Sequence, residues 1–235
     1  MSGTARAMRL SYEVVVHDDW TLPEVPVPES QPHDLALDLL KALLLHWVQR
    51  TGTDGQVARN LAVRWDESRP TVGIDPDLCL IAPSTPEGAE LASLCTWKAG
   101  HTAPRVAVEV VSRNHPYKDY LSTQERYAAS GTTELWVFDA DLAGPKAHGG
   151  PHRLQLWHRD AAGDFVRVYA GPGPVFSPAL GAWLLAVDEG RRLRISEDGA
   201  GTRWWMTGEE AERTAKEAAL AEAASLRAEL DRVQR

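Results

Sequence analysis

Two carboxylates stand out in this chain, one inside an otherwise apolar run and one inside an apolar run that also holds Asp75. Glu109 lies inside residues 106–111 (VAVEVV), and Asp77 follows Pro76 inside residues 72–82 (VGIDPDLCLIA). Continuous apolar, β-branched runs of this kind read as strands buried on both faces. An ionised carboxylate in such a strand is costly unless a cation or a metal meets it. If the two strands are neighbours, Asp77 and Glu109 can face one another. Two like charges that close drive one pKa strongly upward, and a divalent cation removes the conflict. Mg²⁺ takes hard oxygen ligands, commonly one or two carboxylates completed by water and substrate phosphate. Such a centre polarises a phosphodiester and activates a water. The competing structural accounts are an ion pair of Glu109 with Arg105 or another basic residue, and a turn cap for Asp77 after Pro76.

Basic residues surround the candidate centre in the sequence. Arg105, Arg113, His115, Lys118 and Arg126 flank Glu109 and the segment after it. Residues of this type position phosphates and do not by themselves read bases. No helix-turn-helix or zinc finger is evident, so no sequence specificity follows. Other candidates have blander accounts. The run His17-Asp18-Asp19 invites a metal reading, but its spacing matches no standard ligand pattern and fits a polar strand end. His33 reads as a helix-start residue, Asp119 as the N-cap of its helix, and Tyr127 as core packing. Cys79 and Cys95 have neither CxxC nor Cys/His spacing, which gives no support to a zinc site or a disulfide framework.

These side chains need elements to hold them. Residues 106–111 and 134–138 form two strands, with helical composition at 119–130 between them and Gly131 as the stop. That unit is expected to place neighbouring strands side by side through a crossover helix. Ahead of it, residues 10–16 alternate as a first strand, and a loop with four prolines follows. Residues 32–50 carry a wide apolar stripe through Leu40, Leu44 and Trp47, which predicts a helix. Residues 57–65 alternate as one half-buried strand, and 72–82 form another, with Pro76 at an edge or bend. Residues 85–100 read as a short helix and loop. Residues 154–159 and 165–170 predict a hairpin around an Ala-Ala-Gly-Asp turn. Residues 172–178 read as loop, and 183–187 with 193–195 as a last strand or short hairpin.

The end of the chain changes character. From residue 209 onward there is no Gly or Pro, and Ala, Glu, Leu and Arg dominate. Thr207 and Glu210 have capping-box spacing. Ala219, Ala223, Leu226, Leu230 and Val233 alternate four and three apart, as in a coiled-coil seam of about two heptads. We therefore divide the chain into an α/β domain at 1–200 and a C-terminal charged helix at 207–235, whose short coiled-coil-like seam could pack on its own domain or pair with a second copy. The 235 residues suffice for one α/β core plus an appendage. The apolar runs fall far short of a membrane span, and the N-terminus lacks a signal-peptide layout. We expect a soluble, cytoplasmic protein with no membrane partner. A net charge of −8 opposes indiscriminate binding to nucleic acid while permitting a local basic groove.

The residues Pro76-Asp77, V-E-V-V-S at 108–112, Asp119, Tyr127, Gly131 and E-L-W-V-F-D at 134–139 together resemble the Uma2 family of endonucleases, within the PD-(D/E)XK nuclease superfamily. The likeness extends more loosely to His33, to S-P-A-L-G-A-W-L-L at 177–185 and to the charged tail. It implies a restriction-endonuclease-like mixed β-sheet flanked by helices. It also implies a Mg²⁺ ion, with Mn²⁺ as a substitute, held by Asp77 and Glu109 with help from the Val110 carbonyl. DNA is the implied substrate, with Arg105, Arg113, Lys118 and Arg126 as candidate phosphate contacts. One departure is clear. The superfamily lysine two residues after the glutamate is Val111 here, and the variant position four residues after Asp119 is Thr123, followed by Gln124. Neither Thr nor Gln supplies a positive charge. Lys118, on a flexible stem, and Gln124, through hydrogen bonds, are the candidates to assist the water. The alternative is a catalytically degenerate nuclease fold serving as a binding or assembly module.

Overall fold

The computed structural model describes residues 20, 31–113, 123–146 and 149–234. The expected strand at 10–16, the His17-Asp18-Asp19 run, and His115, Lys118 and Asp119 lie outside them. Helix α1 (Gln31–Thr51) lays Leu37, Leu40, Leu43, Leu44 and Trp47 on one side, as its apolar stripe requires. Strands β1 (Gln56–Arg59), β3 (Leu78–Ile81), β5 (Val106–Val110), β6 (Glu134–Phe138), β7 (Leu154–Arg159) and β8 (Phe165–Gly171) form a six-stranded sheet in the order β1-β3-β5-β6-β7-β8. Only β5 and β6 pair in parallel, and helix α2 (Thr123–Ser130) lies between them in the chain. The remaining neighbours are antiparallel. Gly131 ends α2 with φ 81°, a conformation that costs a residue without Cβ little.

The central strands β3, β5 and β6 are buried along their whole length because both faces of the sheet are covered. Alternate residues therefore enter different cores. Leu78, Val106, Val108, Val110, Trp136 and Phe138 pack with α1 on one face. Cys79, Ala107, Val111, Leu135 and Val137 pack with Tyr127 and Ala128 of α2 on the other. The α1 side also meets a three-stranded antiparallel sheet of β9 (Val175–Ser177), β10 (Ala182–Val187) and β11 (Arg192–Ser196). Helix α3 (Gly208–Val233) closes the chain, and its Thr207–Glu210 capping box is complete in both directions.

Four expectations need correction. The single strand at 57–65 is two strands. Asn60 adopts φ 49° and breaks it, so β1 joins the main sheet while β2 (Ala62–Arg64) pairs in parallel with β4 (Ser93–Cys95). Asn tolerates that left-handed turn better than most residues. The strand at 72–82 is shorter than its apolar run. Ile74 makes one isolated bridge to Val63, Pro76 intervenes, and regular pairing starts at Leu78. The loop at 172–178 contains β9, whose partner β10 lies beyond it in the chain. The segment at 85–100 holds one 3₁₀ turn, Gly88–Glu90, and β4.

A buried carboxylate stitches the two sheets together. Glu134, at the start of β6, is fully buried. It accepts from Trp136 Nε1 at 2.6 Å, from the Ala179 amide at 3.2 Å, and from the Ser177 hydroxyl in β9. Burial raises its pKa above the ordinary 4.5, outweighing those hydrogen bonds. A raised carboxyl pKa means that the contribution to stability is full below pH 4.5 and declines as pH rises through the folded-state value. Comparing urea midpoints of the parent and Glu134→Gln checks this. The variant is expected to gain relative to the parent as pH rises from 4.5 towards neutrality, whereas a difference independent of pH contradicts it.

Candidate functional site

The last register pair between β3 and β5 is Leu78 opposite Val108. The ladder stops there: Asp77 is the residue just before β3, and its side chain, not its backbone, reaches β5 next to Glu109, at the Val110 amide. Both residues are buried. Glu109 has the parity of Ala107 and Val111, on the face towards α2, whereas Asp77 turns to the Val110 amide and to His33 of α1.

Each carboxylate is held. Asp77 Oδ2 accepts the Val110 amide at 2.7 Å, where the β3–β5 ladder has stopped. His33, in the first turn of α1, sets Nε2 at 2.9 Å from the Val110 carbonyl and 3.3 Å from Asp77 Oδ2. Both partners are acceptors, so Nε2 carries the proton and shares it between them. Glu109 Oε1 accepts the Tyr127 hydroxyl at 2.5 Å. Burial foremost, then the charge of Glu109, its hydrogen bond and the charge of Asp77 push the Tyr127 phenol well above its ordinary 10.0. Tyr127 thus remains a donor and lies within the field of both carboxylates.

The sequence reading of His33 as a helix-start residue and of Tyr127 as core packing was incomplete: both are first contacts of the acidic pair. No local signal marks His33, whose bonds span 44 and 77 residues. Tyr127 carried a faint one, since a buried phenol needs a partner. Thr123 and Gln124 are both buried in α2, one turn before Tyr127 and on the same helix face. Gln124 is therefore on the side that addresses Glu109.

The basic candidates divide. Arg105 precedes β5, four residues from Glu109, or about 13 Å along an extended strand. Its Nε donates to the Ala179 carbonyl at 2.8 Å, so the sheet places it at the end of β5 away from the carboxylates. The proposed Glu109–Arg105 ion pair is replaced by the Tyr127 bond. Arg113 follows β5 on the carboxylate side and forms a bidentate pair with Asp141, both bonds 2.6 Å. Arg126 in α2 lies over the Trp20 ring, 5.8 Å from its centroid. Lys118 is outside the described residues.

The donors suit a hard cation. Asp77, Glu109 and the Val110 carbonyl offer only oxygen, the ligand type that Mg²⁺ selects, with its remaining positions filled by water. Among the described residues no group of three or more His, Cys, Asp or Glu side chains is arranged to hold a metal ion.

Residues 10–165 match the model of the Uma2 family, described as "Putative restriction endonuclease". The match spans His33, Asp77, Glu109 and Tyr127 and ends as β8 begins, before β9–β11 and α3. No curated protein matches the sequence. Among solved structures, one of "a putative nuclease belonging to DUF820 from Anabaena variabilis ATCC 29413" is similar at 15% identity and a TM-score of 0.44, over 66% of this chain and 76% of that chain.

Removing the Tyr127 hydroxyl leaves a buried Glu109 oxygen short of its donor. Tyr127→Phe is expected to lower stability by about 1–3 kcal/mol. Urea unfolding of parent and variant measures this, and an unchanged midpoint would show that Glu109 does not depend on the phenol.

Proposed function

The chain belongs to the Uma2 family, and on that premise we propose that it is a metal-dependent endonuclease hydrolysing DNA phosphodiester bonds at the Asp77–Glu109 pair. The observation that supports this reading is that two buried carboxylates are anchored around the end of β5, Asp77 on the Val110 amide and Glu109 on the Tyr127 hydroxyl. Asp77, Glu109 and the Val110 carbonyl would hold Mg²⁺, with Mn²⁺ as the substitute. When bound, the ion supplies charge neutralisation at the phosphate and a more acidic water.

The chain's own groups have separate tasks. The Val110 amide and His33 fix the Asp77 carboxylate. Tyr127 fixes Glu109. Lys118 or Gln124 orients the attacking water. Lys118, Arg113 and Arg126 contact phosphates, and Arg105 belongs to a more distant part of any DNA path. Such contacts fix the position of the duplex without reading its sequence. We place the activity in the cytoplasm, where DNA is accessible. No helix of the described residues is long and apolar enough to cross a membrane.

A second reading has its own observation. Thr123 occupies the position where the resemblance calls for lysine, and it is buried and uncharged. A fold that binds metal and DNA without cutting would fit it. DNA cleavage with Mg²⁺ or Mn²⁺, alongside a metal titration, separates the two. The nuclease reading expects cleavage by the parent and a loss of at least about 10²-fold in Asp77→Asn and in Glu109→Gln, the scale of removing one preorganised electrostatic element. Metal binding without cleavage on any DNA selects the second reading. Cleavage that survives both substitutions removes Asp77 and Glu109 from the site.

A further inference from the structure

Helix α3 begins on the core and then leaves it. At its root Trp205 stacks on Trp47 of α1 with ring centroids 5.5 Å apart, and His46 Nδ1 donates to the Met206 carbonyl at 2.6 Å. Arg194 of β11 bonds Glu210 of the capping box at 2.8 Å. From residue 212 to residue 234 every side chain is exposed. The arm is about 35 Å long at the helical rise of about 1.5 Å per residue. Leu220, Leu226, Leu230 and Val233 are 62%, 59%, 56% and 80% exposed. A lone helix draws no stability from tertiary packing.

We propose that this arm pairs with the same arm of a second copy, as a parallel, in-register two-stranded coiled coil. The seam places Ala219, Leu226 and Val233 at d positions and Ala223 and Leu230 at a positions. Charge selects the occupant and its direction. Glu222 and Glu229 then fall at g, and Arg227 and Gln234 at e. In a parallel pair a g residue meets the e residue five places further along its partner. Glu222 meets Arg227 twice by symmetry, and Glu229 meets Gln234. An antiparallel pair centred on Leu226 would instead bring Glu222 towards Glu229 and Arg227 towards Arg227, setting like charges together.

The consequence is geometric. A two-fold axis along the paired helices puts both α/β domains at the same end, each anchored to its arm by the Trp47–Trp205 stack and the capping box. This pairing does not depend on whether the Asp77–Glu109 centre cleaves DNA.

Sedimentation equilibrium of the full chain across a wide concentration range tests it. A concentration-dependent dimer is expected. Leu226→Asp with Leu230→Asp should give a monomer that keeps the folded α/β domain and loses helix signal from the unpaired arm, because in the single chain both side chains touch no part of that domain's core. Arg227→Glu should weaken the dimer by about tenfold or more, as two attractive pairs become repulsive, and Glu222→Arg added to Arg227→Glu should restore it. Ala223→Cys should cross-link on mild oxidation, since a-position residues adjoin across a parallel seam and both native cysteines are buried. A parent that is monomeric throughout overturns the proposal. So does a dimer indifferent to the Leu226/Leu230 pair, or one in which Ala223→Cys fails to cross-link while Ala219→Cys joins Val233→Cys.

Discussion

The Asp77 carboxylate takes over where backbone pairing between β3 and β5 stops. Beyond Leu78 the ladder has no next strand residue, and the Val110 amide would be buried without an acceptor. Asp77 Oδ2 supplies one at 2.7 Å, while His33 satisfies the Val110 carbonyl at 2.9 Å. One backbone unit thus binds together the start of α1, the approach to β3 and the end of β5. A buried amide left unpaired costs about as much as a lost hydrogen bond, so the arrangement fixes the register as well as the site. Register is what matters here, because a slip of one residue would turn Glu109 to the other face of the sheet.

The two cores explain how a carboxylate survives inside β5. The face towards α1 is aliphatic and aromatic around Val108 and Val110, and beside Val106 it admits the Glu134 carboxyl only where three donors meet it. The face towards α2 carries Tyr127, whose ring completes the core while its hydroxyl serves Glu109. Asp77 comes in from just before β3 and takes the Val110 amide and His33 of α1. Structural economy and chemistry therefore coincide: the hydroxyl that makes Glu109 tolerable also fixes one of its oxygens. The opposite arrangement appears at Glu134, where the donors come from β6, β9 and the turn after β9, and the carboxylate's task is to join two sheets.

Much of this was legible in the sequence, and the failures share a cause. Helix α1, strands β5 and β6, the β7–β8 hairpin and the α3 cap rest on local signals: apolar period, turn residues and capping spacing. Asp77 and Glu109 were visible because each is an anomaly within an apolar run. What escaped depends on distant partners. Asn60 splits an alternating segment because β1 and β2 find different neighbours, β3 and β4. Strand β9 hides among prolines because its partner lies further along the chain. His33 and Tyr127 looked like a helix start and a core aromatic until the long-range contacts were made. Arg105 looked close to Glu109 only because four residues are few in sequence. In an extended strand they separate two ends of the sheet.

The central claim is that Asp77 and Glu109 form one oxygen-lined centre for a divalent cation. Mn²⁺ titration followed by NMR of the carboxyl carbons tests it most directly, because a paramagnetic ion broadens the signals nearest to it. The account predicts that the Asp77 and Glu109 carboxyl signals broaden first and together, and that excess Mg²⁺ reverses the effect. Broadening that reaches one of them without the other, or that falls first on carboxylates elsewhere in the molecule, would contradict it.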